Sequence, residues 1–535
     1  MTGSRHVESD GASRALPAFL VATAVISGAL VMVIEVLGSR VIGPFFGVSL
    51  FVWTSLISVT MIALAAGYML GGLAADRRGT PDYLYGIILA SGVAVLLIPL
   101  LKGPVLKLCF PLGLRLGAFG SAAALFGPSL LLLGCVAPYV VKIAAPEMEK
   151  LGRVVGGFYA LSTLGSVLGT VTTGFVLIAY LGVERIFVLV GTLLILLSVV
   201  YFVLLRRKWA ALLALALPMA LSPRLDGAGV SKVMENGTRV TSVAARDSFY
   251  GSVKVVDYSY EAIHTRELII DGLIQGGIDM RKGLSFYGYS YLLQFVPYTI
   301  NPEGRTCLVI GLGAGIIPRW YERQGIRTDV VDIDPMVVEF AKEYFDFSNS
   351  GEIVIDDARY YLSRTAKTYD FVILDVFSGD TTPGYLLSRE AIALLKERMS
   401  DRAVLGINLV GGLRRESLMT ASVVGTLRTA FDQVEIYPAF AMDSGEASGN
   451  LALIAYSGSP RPLDLERLRR FPVHPRVRAA MRGKLYERFE FPEGTPAIIL
   501  TDDYNPLDFY DAGIREAVRR DILETTDWDV LIETG

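Results

Sequence analysis

Between residues 16 and 205 the chain carries six apolar runs, near 16–37, 49–73, 83–101, 117–144, 154–181 and 184–205. A helix of about 20 apolar residues crosses a ~30 Å hydrocarbon layer, and each run is long enough to do so. Lipid offers no partner for an open peptide group, so runs of this kind fold as helices. That commits residues 16–222 to a helical membrane domain behind a polar tail at 1–15. The chain of 535 residues is 52% hydrophobic, and the excess lies almost wholly before residue 223. A seventh apolar run, Trp209–Ser222, contains Pro218 and suits a short span, a re-entrant piece or an interfacial helix.

Loop charges orient the spans. Arg77 and Arg78, then Lys142, Lys150 and Arg153, then Arg206, Arg207 and Lys208 fall in alternate loops. The positive-inside bias places these loops and the N-terminus in the cytoplasm. Six spans leave the remaining chain inside, whereas seven put it outside. Gly67-x-x-x-Gly71, Gly165-x-x-x-Gly169 and Gly174 allow close helix packing. Glu35 is an ionisable group inside a span, which calls for a partner or a task; Arg40 is the candidate partner.

Beyond a linker at 223–240 the pattern becomes mixed polar and apolar. Alternating stretches in 241–300 read as a small antiparallel sheet, with Asp271-Gly272 as a tight turn and a helix at 284–296. From 306, strands and helices alternate through 408 as a doubly wound α/β domain, assigned to 301–535. Helix 418–431 and an antiparallel pair at 433–456 follow, then a charged helical tail. Ligands of such folds bind at the carboxyl ends of the strands.

There the sequence places its chemistry. Strand 306–310 breaks into Gly311, Gly313 and Gly315, and the next strand ends at Asp332. Glycines let a backbone approach a nucleotide closely, and an acid at the second strand's end takes ribose hydroxyls. Asp356 and Asp357 end the third strand and Asp375 the fourth. Helix capping is a competing task for Asp334 and Asp356. Three scattered histidines and three cysteines offer neither a metal centre nor a disulfide framework. A net charge of −3 points away from nucleic acid.

Residues from about 248 to 506 resemble the spermidine synthase family of aminopropyltransferases, in particular its bacterial branch fused to a multi-span membrane region. The resemblance rests on Leu268-Ile-Ile-Asp-Gly-Leu-Ile-Gln275, Gly311-Leu-Gly-Ala-Gly315, Asp356-Asp357-Ala358 and Tyr369-Asp-Phe-Val-Ile-Leu-Asp375, in that order. Thr501-Asp-Asp-Tyr-Asn-Pro506, Glu35-Val-x-x-Ser-Arg40 and Gly71-Gly-x-x-Ala-Asp-Arg77 resemble the fused branch. It implies a Rossmann-like fold of the S-adenosylmethionine-dependent methyltransferase type in a bacterial inner membrane, its soluble part cytoplasmic. Gln275, Gly311, Gly313, Gly315, Asp332, Asp356 and Asp357 would hold decarboxylated S-adenosylmethionine or S-adenosylmethionine as co-substrate, with no metal. Asp332 would take the ribose and Asp357 the adenine amino group. Asp375 would be the catalytic base, and Tyr289 and Asp380 would face a small amine acceptor. The lipid bilayer is the other implied partner, and a homo-oligomer is compatible with the pattern.

Departures from the family keep the donor and acceptor open. The glycine loop carries Ala314 where soluble members have an acid, and a Tyr-His-Glu run is replaced by Tyr289, Ser290 and Tyr291. The Asp-Ser-Ser-Asp loop becomes Asp375-Val-Phe-Ser-Gly-Asp380. Three functions are therefore distinguished: aminopropyl transfer to an amine, methyl transfer to a membrane-associated acceptor, and binding without catalysis by a transporter or sensor.

Overall fold

In the computed structural model the described residues are 4–47, 50–144, 151–221, 229, 231–377, 382–413, 417–441, 448–485, 487–510 and 512–532. The chain divides between Ala228 and Gly229 into two compact units.

The first unit is helical: α1 Ser4–Phe46, α2 Leu50–Arg78, α3 Pro81–Cys109, α4 Gly113–Gly134, α5 Val136–Ala144, α6 Leu151–Thr172, α7 Ile178–Leu181, α8 Val183–Val200 and α9 Ala216–Leu221. Among the described residues, five stretches are long and apolar enough to cross a membrane, and one of them, Pro81–Ala144, has 64 residues. It reverses at Phe110–Gly113, so that Ser91 donates to the Ser129 carbonyl (3.2 Å) and Gly117 lies against Cys109. α3 and α4 are thus two antiparallel legs of that one long stretch. The seventh run forms a 3-10 helix, Trp209–Leu215, followed by α9.

Helix α1 begins at Ser4, within the polar stretch; once a helix is nucleated, each added residue gains a bond at little further cost. Two expectations are corrected here. A Cβ on Gly67, Gly71, Gly165 or Gly169 would collide with a neighbouring helix, but one on Gly174 would meet nothing within 4 Å. Glu35 and Arg40 are not paired with each other among the described residues. Five positions on a continuous helix place them about 140° apart. A largely buried ion pair between helices among the described residues is instead Lys102–Glu184, joining α3 to α8.

The second unit holds two sheets. The first is antiparallel, in sequence order: β1 Ser231–Val233, β2 Arg239–Asp247, β3 Ser252–Tyr260, β4 Ile263–Ile270, β5 Leu273–Asp279 and β6 Leu284–Ser285. Asp271 (φ 47°) and Gly272 (φ 79°) make the expected turn between β4 and β5. The linker is shorter than expected, since β1 and the start of β2 lie within 223–240. Their turn is closed by Asn236 Oδ1, which accepts from Thr238 N–H (2.9 Å). The small sheet closes at Ser285, and α10 (Gly288–Ile300) joins the core of the larger sheet.

That sheet has the order β12-β13-β11-β10-β7-β8-β9. Its strands are β7 Thr306–Ile310, β8 Arg327–Asp332, β9 Ile353–Ile355, β10 Tyr369–Leu374, β11 Met399–Gly412, β12 Gln433–Pro438 and β13 Ser448–Tyr456. The five strands from β11 to β9 are parallel; β13 and β12 are antiparallel. Helices α11 Ile316–Arg323, α12 Pro335–Phe345, α13 Ala358–Arg364, α14 Arg389–Glu397 and α15 Leu418–Arg428 connect them. Two apolar cores cover the two faces. Strand order reverses between β7 and β10, so their carboxyl ends diverge into a crevice.

Candidate active site

Three glycines after β7 each press against a different element. Gly311, Gly313 and Gly315 have φ of +89°, +51° and +70°, a region where side chains are strained. A Cβ on Gly311 would overlap the carbonyl of Asp375; one on Gly313 would lie 2.9 Å from the Gln275 carbonyl, and one on Gly315 2.6 Å from the Phe347 ring. The loop is therefore a hub that brings β10's end and β5 together.

Asp332 ties this hub to β8. Its carboxylate accepts the N–H of Leu312 (2.8 Å) and of Asp334 (2.9 Å). Burial outweighs those bonds and pushes its carboxyl up to about 6. Asp334 caps α12 by accepting from Met336 N–H (2.9 Å) and from the Ser248 hydroxyl (2.6 Å). Asp357 caps α13 through Tyr360 N–H (3.0 Å), and its other oxygen accepts from the Tyr385 phenol (2.7 Å). Asp356 accepts the N–H of Asp357 (2.9 Å).

Asp375 follows β10, its N–H donating to the Ile310 carbonyl (2.9 Å). Its carboxylate accepts from Asn408 Nδ2 (2.8 Å), and Asn408 Oδ1 accepts from Asn450 (3.0 Å). Burial raises its carboxyl to about 6, with the Asn408 bond working the other way. Tyr289, in the first turn of α10, is pushed well up by burial and by the Asp375 charge. Its ring centroid lies 6.4 Å from that of Tyr287, whose hydroxyl donates to buried Glu267 (3.0 Å). Burial lifts Glu267 to about 7. Ser290 and Tyr291 serve local structure, donating to the Tyr287 and Ser285 carbonyls.

A cavity of about 330 Å³ opens beside the glycine loop, within the range for small-molecule sites. Gln275, Gly311, Gly313, Asp332 and Asp356 line it, together with Tyr250, Asp271, Asp334, Phe377, Pro383 and Tyr385. Gly315, Tyr289, Asp357 and Asp375 are not among the described residues that line it, and Asp380 lies outside the described residues. Four aspartates and no lysine, arginine or histidine occur among the described lining residues.

Sequence reasoning missed Tyr250, Tyr385, Glu267 and Asn408. Asn408 leaves a signal in the chain: one amide inside the apolar strand Ala403–Val410. A buried polar group of that kind needs a partner. Tyr385 and Glu267 reach the site by tertiary folding alone, while Tyr250 belongs to Ser248-x-Tyr250-Gly251, which resembles the family's N-terminal sheet.

Comparison with known proteins agrees with this geometry. Residues 287–437 match the spermine/spermidine synthase domain family. An N-terminal histidine N-methyltransferase of Emericella nidulans is 32% identical over 243 residues, 41% of this chain and 43% of that protein. A polyamine aminopropyltransferase of Vibrio vulnificus is 36% identical over 117 residues, 20% of this chain and 38% of that one. The chain thus spans well under two thirds of either relative. Among solved structures, a probable spermidine synthase from Corynebacterium glutamicum ATCC 13032 aligns at 18% identity over 42% of this chain and 85% of its own, with a TM-score of 0.37. The strand–glycine loop–acid layout and the strand-end aspartates all fall within residues 287–437, the part of the second unit that matches the spermine/spermidine synthase domain.

Proposed function

We propose that the second unit transfers the aminopropyl group of decarboxylated S-adenosylmethionine to an amine, releasing methylthioadenosine. The observation that carries this reading is the cavity's charge: four aspartates without a basic side chain among the described lining. Such a cavity favours a donor that bears a sulfonium and a free ammonium over one that also bears a carboxylate.

In this reading Gln275, Gly311, Gly313, Gly315, Asp332, Asp356 and Asp357 hold the nucleoside, and Tyr289 and Asp380 border the amine. The amine nitrogen forms a bond to the propyl carbon as the carbon–sulfur bond breaks, and the sulfur leaves with the electron pair as a neutral thioether. Asp375 takes the proton that the nitrogen loses. A base near pH 6 suits that step at neutral pH, and in-line placement supplies much of the rest. Activated donors of this kind are made in the cytoplasm, so the unit works on that side of the bilayer. Six passes through the membrane from an inner N-terminus deliver it there.

Methyl transfer from intact S-adenosylmethionine to a membrane-associated acceptor is the second reading. It is favoured by Ala314, which puts no acid at the loop position, and by the similarity to a histidine N-methyltransferase. One experiment separates them. Full-length protein in detergent is incubated with either donor and a panel of amines, and products are identified by mass spectrometry. Methylthioadenosine supports aminopropyl transfer, S-adenosylhomocysteine supports methyl transfer, and neither product refutes both.

A further inference from the structure

The transfer chemistry leaves Thr501–Pro506 without a task, yet this segment is hydrogen-bonded to the stretch that carries part of the cavity wall. Asp502 accepts both arms of the Arg359 guanidinium, at 2.8 and 2.7 Å, and the Ser388 hydroxyl at 2.6 Å. Asn505 donates to the Gly384 carbonyl (2.7 Å), and a methyl on Gly384 would sit 3.3 Å from the Asn505 amide. The stretch from Pro383 to Ser388 is thereby gripped at both ends. Between the grips lies Tyr385, which faces the cavity and donates its phenol to Asp357. Arg359 also donates to the Tyr385 carbonyl (3.2 Å).

One carboxylate thus gathers the first turn of α13, the cap of α14 and the wall between them. Arg359 and Ser388 hold Asp502 down at about 2, so the grip stays charged at every pH of interest. Side-chain exposures of 27% for Arg359 and 41% for Asp502 make this an ion pair that adds little to folding. Its planar two-pronged geometry does fix position.

We propose that Asp502 is a positioning residue for nucleoside binding: through Arg359 and Ser388 it sets Tyr385, which is backed by Asp357, in the cavity wall. The inference rests on the reading of this cavity as an S-adenosyl nucleoside site. Calorimetry of methylthioadenosine binding to the full-length protein tests both, and separately. Asp502→Asn is expected to raise the Kd about tenfold with little change in thermal midpoint. Tyr385→Phe is expected to weaken binding too. The double variant should then be no weaker than the worse single variant, because both act through one wall. If Asp502→Asn does not fold, Arg359→Lys replaces it, since a lysine keeps the charge and loses the fork. Wild-type Kd in these variants, or losses that simply add, overturns the positioning role and leaves the donor site standing. No binding by the wild type overturns the donor site itself, and the positioning role with it.

Discussion

Asp375→Asn should stabilise the protein while disabling it. In the folded chain this carboxyl rises from its ordinary 3.8 to about 6, chiefly because burial penalises its charge. At ~1.4 kcal/mol for each tenfold in proton affinity, the charged group costs at most ~3 kcal/mol at pH 8. The value is an upper bound, because Asp375 keeps a partly exposed edge. The amide has no charge to bury, and its oxygen can still accept from Asn408. Because the folded carboxyl binds its proton more tightly than the unfolded one, its stabilising contribution is complete below about pH 4. It is lost as the pH rises through about 6. The gain from Asp375→Asn should therefore be roughly 4–6 °C in Tm at pH 8, about half that at pH 5, and close to nothing at pH 4. Turnover should fall by about two powers of ten or more, and wild-type turnover should rise as the pH passes through about 6. The assays are thermal unfolding across pH and product release from saturating donor and amine. A Tm difference independent of pH would refute the buried-charge argument, and undiminished turnover would make Asp375 structural.

Asp332→Ala should weaken methylthioadenosine binding by about 1–3 kcal/mol if the carboxylate holds ribose hydroxyls; undiminished affinity in calorimetry would remove that role. Gly311→Ala combines left-handed backbone strain with overlap against the Asp375 carbonyl, a cost of about 2–5 kcal/mol. Gly325→Ala has a similar φ of +75° but open space around it, so its smaller loss in thermal unfolding isolates the overlap. A single cysteine introduced at Gly229 should resist labelling by a membrane-impermeant reagent in intact cells; labelling from outside would place the second unit on the wrong face for its donor.

The chain itself announced the two kinds of folding it would undergo. Apolar runs before residue 223 have no other stable outcome in lipid than helices, and the β-α alternation after residue 306 has few outcomes besides a parallel sheet. Local chemistry likewise marked Gly311, Gly313 and Gly315, because left-handed turns and close backbone contact select glycine. It marked Asp332 and Asp375 because they end strands. α1 starts inside the polar stretch and β1 lies within 223–240 because composition near an element's end says little when propagating a helix or pairing a short strand is cheap.

Folding decided what no spacing could. Glu35 and Arg40 look adjacent in the chain, yet helix geometry turns them apart, while Lys102 meets Glu184 from 82 residues away. Glu267 in β4 meets Tyr287, the residue before α10, from 20 residues away. Asp502 reaches Arg359 from 143 residues away. Local sequence governs backbone conformation, since φ, ψ and periodicity are near-neighbour properties. Which buried polar groups become partners depends on three-dimensional packing, and distance along the chain does not record it.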